Sequence, residues 1–90
     1  MIRHAFKMRI KPGAEAEYKR RHDEIWPEMV EVLKNAGASN YSIFIDGLDL
    51  FAYVELEDME RWNKNAENPT VRKWWDYMAD IMEVNPDNSP

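Results

Sequence analysis

Ninety residues without a cysteine make one domain, with disulfides and thiolate metal sites excluded and stability resting on the core, helped at this length by self-association. Seventeen acidic against twelve basic residues leave a net charge of −5, the wrong sign for neutralising nucleic-acid phosphates. No apolar run is long enough to cross a bilayer, and the opening Met-Ile-Arg-His-Ala-Phe lacks the continuous apolar region of a signal peptide, so neither a membrane nor a nucleic-acid partner is expected and the cytoplasm is the expected compartment. Four Trp, four Tyr and three Phe are a heavy aromatic load for this length.

From Ile2 to Ile10, one face of an alternating pattern carries Ile2, His4, Phe6, Met8 and Ile10, which predicts a half-buried strand. Lys11-Pro12-Gly13 ends it. Ala14 to Ala36 reads as a long amphipathic helix, about 35 Å if continuous at 1.5 Å per residue. Its apolar stripe is Ala14, Tyr18, His22, Ile25, Met29, Val32, Leu33 and Ala36. Pro27 must kink or break it, with Trp26 expected to splay outward beside His22. The run Lys19-Arg20-Arg21, set among Glu15, Glu17, Asp23 and Glu24, reads as a solvated face with pairs such as Glu17–Arg21. Gly37 stops the helix.

Tyr41 to Ile45 alternates again, and Asp46-Gly47 is a two-residue hairpin signal. The return strand, Leu48 to Leu56, has apolar bulk on both faces, so helices should cover one and a partner or ligand the other. Asp58 and Asn68 are candidate N-caps, the second followed by Pro69 at the first helical position. Val71, Trp74, Trp75, Met78 and Met82 form the stripe of the last helix. The tail from Asn85 to Pro90 is turn chemistry. The order predicts an α+β, split β-α-β fold with helices on one face of an antiparallel sheet, its other face hidden in a symmetric dimer.

The two histidines lack the spacing of metal ligands, there is no glycine-rich phosphate loop, and no Ser or Cys nucleophile stands at a recognisable distance from a base. No metal is expected. General acid–base chemistry remains, because an imidazole titrates nearest neutral pH. His22 on its core-facing stripe is either a satisfied structural histidine, the simpler reading, or a working one. His4 reads as a packed or partly exposed residue. Tyr18 lies one turn from His22 and offers a phenol to a bound hydroxyl. Trp74 and Trp75 read as core anchors, or as plates with an N–H at the rim; adjacent residues at opposite edges of one stripe cannot both be central, so at least one faces a cleft. Indoles, a phenol and one imidazole are an inventory for gripping a sugar.

The chain resembles the L-rhamnose mutarotases. The likeness rests on Met1-Ile2-Arg3 with Ala5-Phe6, Glu17-Tyr18 with Arg20-Arg21-His22, Ile25-Trp26-Pro27-Glu28, Asn40-Tyr41, Arg61-Trp62-Asn63, Trp74-Trp75 and the Asn85–Pro90 tail. The resemblance implies a ferredoxin-like domain of the dimeric α/β barrel type. It implies a homodimer that interconverts the α and β anomers of L-rhamnose without a cofactor. His22 is then the proton donor, and Tyr18, Tyr41, Trp74 and Trp75 contact the sugar. Two departures stand out: family members continue past the matching tail into a last strand, so a fourth strand is expected to be missing here, and the Asp46-Gly47 turn is tighter than the family's loop. The same inventory on the residues alone would also serve a cofactor-free monooxygenase of the dimeric ferredoxin-like type, or a non-catalytic sugar sensor.

Overall fold

The computed structural model describes residues 1–90. Strand β1 (Ile2–Arg9) and strand β2 (Ala38–Asp46) flank a central strand β3 (Asp49–Leu56), both pairings antiparallel, in the order β1-β3-β2. On β3, Leu50, Ala52, Val54 and Leu56 are buried while Phe51 between them is exposed, so one face carries the core and the other is open. After the last helix the chain returns to the free edge of β1. Ile10 bridges Met82, Lys11 N–H donates to the Ile81 carbonyl at 2.9 Å, and Glu83 N–H donates to the Arg9 carbonyl at 2.9 Å. That edge is where the fourth strand of a ferredoxin-like sheet lies, and the expected fold is the observed one.

The long helix is broken. Helix α1 (Glu15–Asp23) and helix α2 (Pro27–Asn35) are separated by residues 24–26, and Trp26 is held extended (ψ 135°) as the residue before a proline must be. Pro27 sits at the start of α2, where its missing N–H costs nothing. Every residue of the predicted stripe is buried or half-buried, so the helical period survives the break. Trp26 does not splay outward: its ring lies 5.0 Å from Trp74 and 5.5 Å from Tyr77, because breaking the helix turns it back onto the core.

Helix α3 (Met59–Asn63) passes into a 3-10 turn (Lys64–Glu67) and then helix α4 (Pro69–Met78). Both predicted caps form: Asp58 Oδ1 accepts from Glu60 N–H and Asn68 Oδ1 from Thr70 N–H, each at 2.9 Å. The core between helices and sheet gathers Ile10, Tyr18, Met29, Leu50, Trp74 and Met82, among others. No helix is long and apolar enough to cross a membrane.

Strand β2 starts earlier than the alternation indicated, at Ala38, and carries a bulge. Ser39 faces Glu55 and Ser42 faces Tyr53, so Asn40 and Tyr41 together oppose Val54 alone. Asn40 takes a left-handed conformation (φ 49°) and its amide donates to Glu55 Oε1 at 2.8 Å. The extra residue sets Tyr41 on the helix side of the sheet, with Ile43.

Candidate active site

Between the helices and the covered face of the sheet lies a cavity of about 570 Å³, partly open to solvent. Tyr18 and His22 enter from α1, Tyr41 from the β2 bulge, and Trp74 and Trp75 from α4. All five site residues expected from sequence therefore meet in one place. The helical period explains α1: Tyr18 and His22 are one turn apart, and their rings stack at 4.2 Å with planes 26° apart. Trp74 also meets His22, in an edge-to-face arrangement at 5.5 Å. Its indole is 6% exposed, so it is core and wall at once, whereas half-buried Trp75 is chiefly wall.

Burial dominates the electrostatics. It pushes the His22 imidazole below its ordinary value of 6.5, against smaller opposing effects from the Tyr18 carbonyl and Asp23. The ring is therefore neutral at neutral pH. Its Nδ1 lies 3.3 Å from the Tyr18 carbonyl, an acceptor only, which selects the tautomer with the proton on Nδ1 and leaves Nε2 with a free lone pair. Burial also raises both phenols, Tyr41 to about 12 and Tyr18 further, so each keeps its O–H as a donor. No Asp or Glu lines the cavity, and no three His, Cys, Asp or Glu side chains gather as a metal site would require. A walled, uncharged, aromatic cavity suits a neutral polyhydroxylated ligand.

The cavity also takes in residues that sequence reasoning left aside. His4 lines it from β1, 5.4 Å from Phe6 and 6.3 Å from Trp62, and Trp62 with Asn63 and Asn65 closes that end. The alternation had already placed His4 on the face of Phe6 and Met8; the apposition of α3 was not visible. At the rim, Asn88 (φ 66°) donates to Asp76 Oδ1 at 2.9 Å, pinning the tail turn against α4.

The sequence pattern of the L-rhamnose mutarotase family matches residues 3–90. This chain belongs to the L-rhamnose mutarotase family. It is 60% identical to the L-rhamnose mutarotase of Tolumonas auensis and 54% identical to that of Lachnoclostridium phytofermentans, covering all of this chain and 88% of each relative. The crystal structure of an L-rhamnose mutarotase from Formosa agariphila superposes with a TM-score of 0.92 at 50% identity, over all of this chain and 88% of that one.

Proposed function

We propose that this chain is an isomerase that interconverts the α and β anomers of L-rhamnose. What carries the reading, beyond the family, is the neutral His22 imidazole facing a carboxylate-free cavity walled by indoles and phenols. Mutarotation needs a proton removed from the anomeric hydroxyl O1 and one delivered to the ring oxygen O5, giving the open aldehyde. Rotation about C1–C2 then presents the other carbonyl face, and closure reverses both transfers. His22 Nε2 takes the O1 proton on opening. The imidazolium so formed delivers that proton to O5, bonded to the same carbon, as the C1–O5 bond breaks and the C1=O1 double bond forms. On closure Nε2 takes the O5 proton back and returns it to O1, and so the ring leaves the cycle as it entered. Tyr18 and Tyr41 hold sugar hydroxyls, while Trp74 and Trp75 cover C–H faces and the C6 methyl, whose burial contributes on the order of 1 kcal/mol.

We further propose a homodimer that hides the open sheet face. Phe44 and Phe51 are paired across β2 and β3 there and are 63% and 44% exposed. Lys7 lies 5.5 Å over the Phe51 ring, and the rim pairs Arg9 with Asp49, so the patch is an apolar centre with mixed charge at its edge, suited to a two-fold copy of itself. A fold that needs no disulfide suits the reducing cytoplasm, which is the compartment we assign.

Saturation transfer between the anomeric proton signals of L-rhamnose, repeated on related sugars, tests the activity. Transfer that depends on the protein supports it. Saturable binding without transfer, or oxygen consumption with a polyphenol, would replace it with a sensor or an oxygenase. Phe44→Asp should turn a dimer in sedimentation velocity into a monomer; a wild-type monomer would remove the dimer proposal.

A further inference from the structure

Three consecutive cations stand on α1, but only one turns inward. The Arg21 side chain is 10% exposed, against 54% for Arg20 and 78% for Lys19. Its Nε donates to Glu17 Oε2 at 2.7 Å. Its Nη1 donates to the Tyr77 carbonyl at 2.7 Å and to Asp80 Oδ1 at 2.8 Å, and its Nη2 donates to Asp80 Oδ2 at 3.2 Å. The guanidinium carbon also lies 4.5 Å over the Tyr77 ring. One planar fork thus ties the last turn of α1 to the C-terminal end of α4, where a cation meets the negative end of the helix and a carbonyl in its last turn.

What lies beyond that tie is the site. Tyr77 packs 5.6 Å from Trp74 and 5.5 Å from Trp26, which contact each other at 5.0 Å, and Trp74 holds the edge of His22. His22 is the residue after Arg21, so a small rotation or slide of α1 on α4 moves the imidazole, with the Tyr18 ring stacked on it, relative to Trp74 and the rest of the cavity wall on α4. An exposed ion pair would not fix that geometry. A guanidinium only 10% exposed, bidentate to Asp80 and also donating to a backbone carbonyl, does so even with Asp80 66% exposed, and lysine, a point charge on a flexible stem, does not reproduce it.

We infer that Arg21 is a positioning residue for the proton transfer: its fork sets the rotation and depth of α1 against α4 and so holds the His22 imidazole at its working place in the cavity. This rests on the mutarotase reading for its consequence in rate, but not for its consequence in ring geometry.

The test compares wild type with Arg21→Met and Arg21→Lys, well below the lowest melting midpoint, reading kcat, KM and the His22 ring signals by ¹⁵N-edited NMR. In Arg21→Met, kcat should fall by about tenfold or more while KM stays within about twofold, since sub-ångström misplacement of a reacting group acts on the rate. The His22 ring signals should move toward those of a free imidazole, and Arg21→Lys should fall between. A folded Arg21→Met with wild-type kcat and unmoved ring signals overturns the proposal. The ring signals need no sugar, so they decide the positioning role even if the wild-type protein exchanges no anomers, which would fail the mutarotase reading alone. Should Arg21→Met not fold, Asp80→Asn weakens the same tie while keeping Arg21 and Glu17. A displaced His22 signal with lowered kcat then supports the proposal, and an unmoved signal overturns it.

Discussion

Truncating Trp74 and Trp75 to alanine, one at a time, separates packing from binding in two neighbours that line one cavity. Trp74 is 6% exposed and touches His22, Trp26 and Tyr77, so its loss leaves a core void and costs about 3–5 kcal/mol. For a domain of this size each kcal/mol lowers the melting midpoint by about 4–8 °C, giving a fall of roughly 12–40 °C against a total stability of only about 5–15 kcal/mol. Trp75 is half-buried with Arg72 5.6 Å over its ring, and its truncation should cost about 1 kcal/mol and shift the midpoint by about 4–8 °C. In binding the order reverses. A sugar face laid on an indole removes roughly 40 Å² of apolar surface from water, about 1 kcal/mol at 25 cal/mol/Å², so Trp75→Ala should raise KM about fivefold with kcat nearly unchanged. Thermal melts followed by circular dichroism and anomer exchange followed by NMR read the two quantities. Trp75→Ala melting as low as Trp74→Ala, or keeping the wild-type KM, would refute this division of labour.

Because burial lowers the His22 pKa, exchange should be flat above neutrality and decline as pH falls through the lowered value, where Nε2 loses its lone pair; a rate that instead rises on acidification would show the resting acid to be the imidazolium. Stability should follow in the same direction. The unfolded imidazole takes up its proton first, so stability falls as pH drops through about 6.5 and the loss levels off below the folded value, measurable as urea midpoints against pH in wild type and His22→Gln. Asn68→Ala removes the cap on α4 and should cost about 1 kcal/mol in the same denaturation assay, with an unchanged midpoint counting against the cap. Gly37 sits at φ 80°, where a Cβ would stand 3.2 Å from Glu57 Cβ, so Gly37→Ala should destabilise by about 1–2 kcal/mol; wild-type stability would show that this turn tolerates an L side chain.

Much of this was legible from residue spacing because the deciding physics is local. The stripe from Ala14 to Ala36, the break at Pro27 and the caps at Asp58 and Asn68 follow from side-chain period and backbone donors within a few residues. What escaped depends on partners far away in the chain. Arg21 looked solvated because its near partner Glu17 is visible at four residues, whereas Asp80 and the Tyr77 carbonyl are 59 and 56 residues distant. Trp26 was expected outside because the direction of the chain after a helix break is set by what it lands on, here Trp74 and Tyr77. The bulge that aims Tyr41 needs the β3 register to be seen, although its Asn40 is a residue type that tolerates the left-handed turn. His22 was ambiguous alone. The cavity it faces, walled by β1, β2 and all four helices, is what the proposal of a working imidazole rests on.

The most direct measurement is saturation transfer between the α and β anomeric protons of L-rhamnose in wild type and His22→Gln, at equal concentrations of folded protein. Exchange in the wild type that scales with protein concentration and disappears in His22→Gln is the expected result. Equal exchange in both would contradict a proton route through His22.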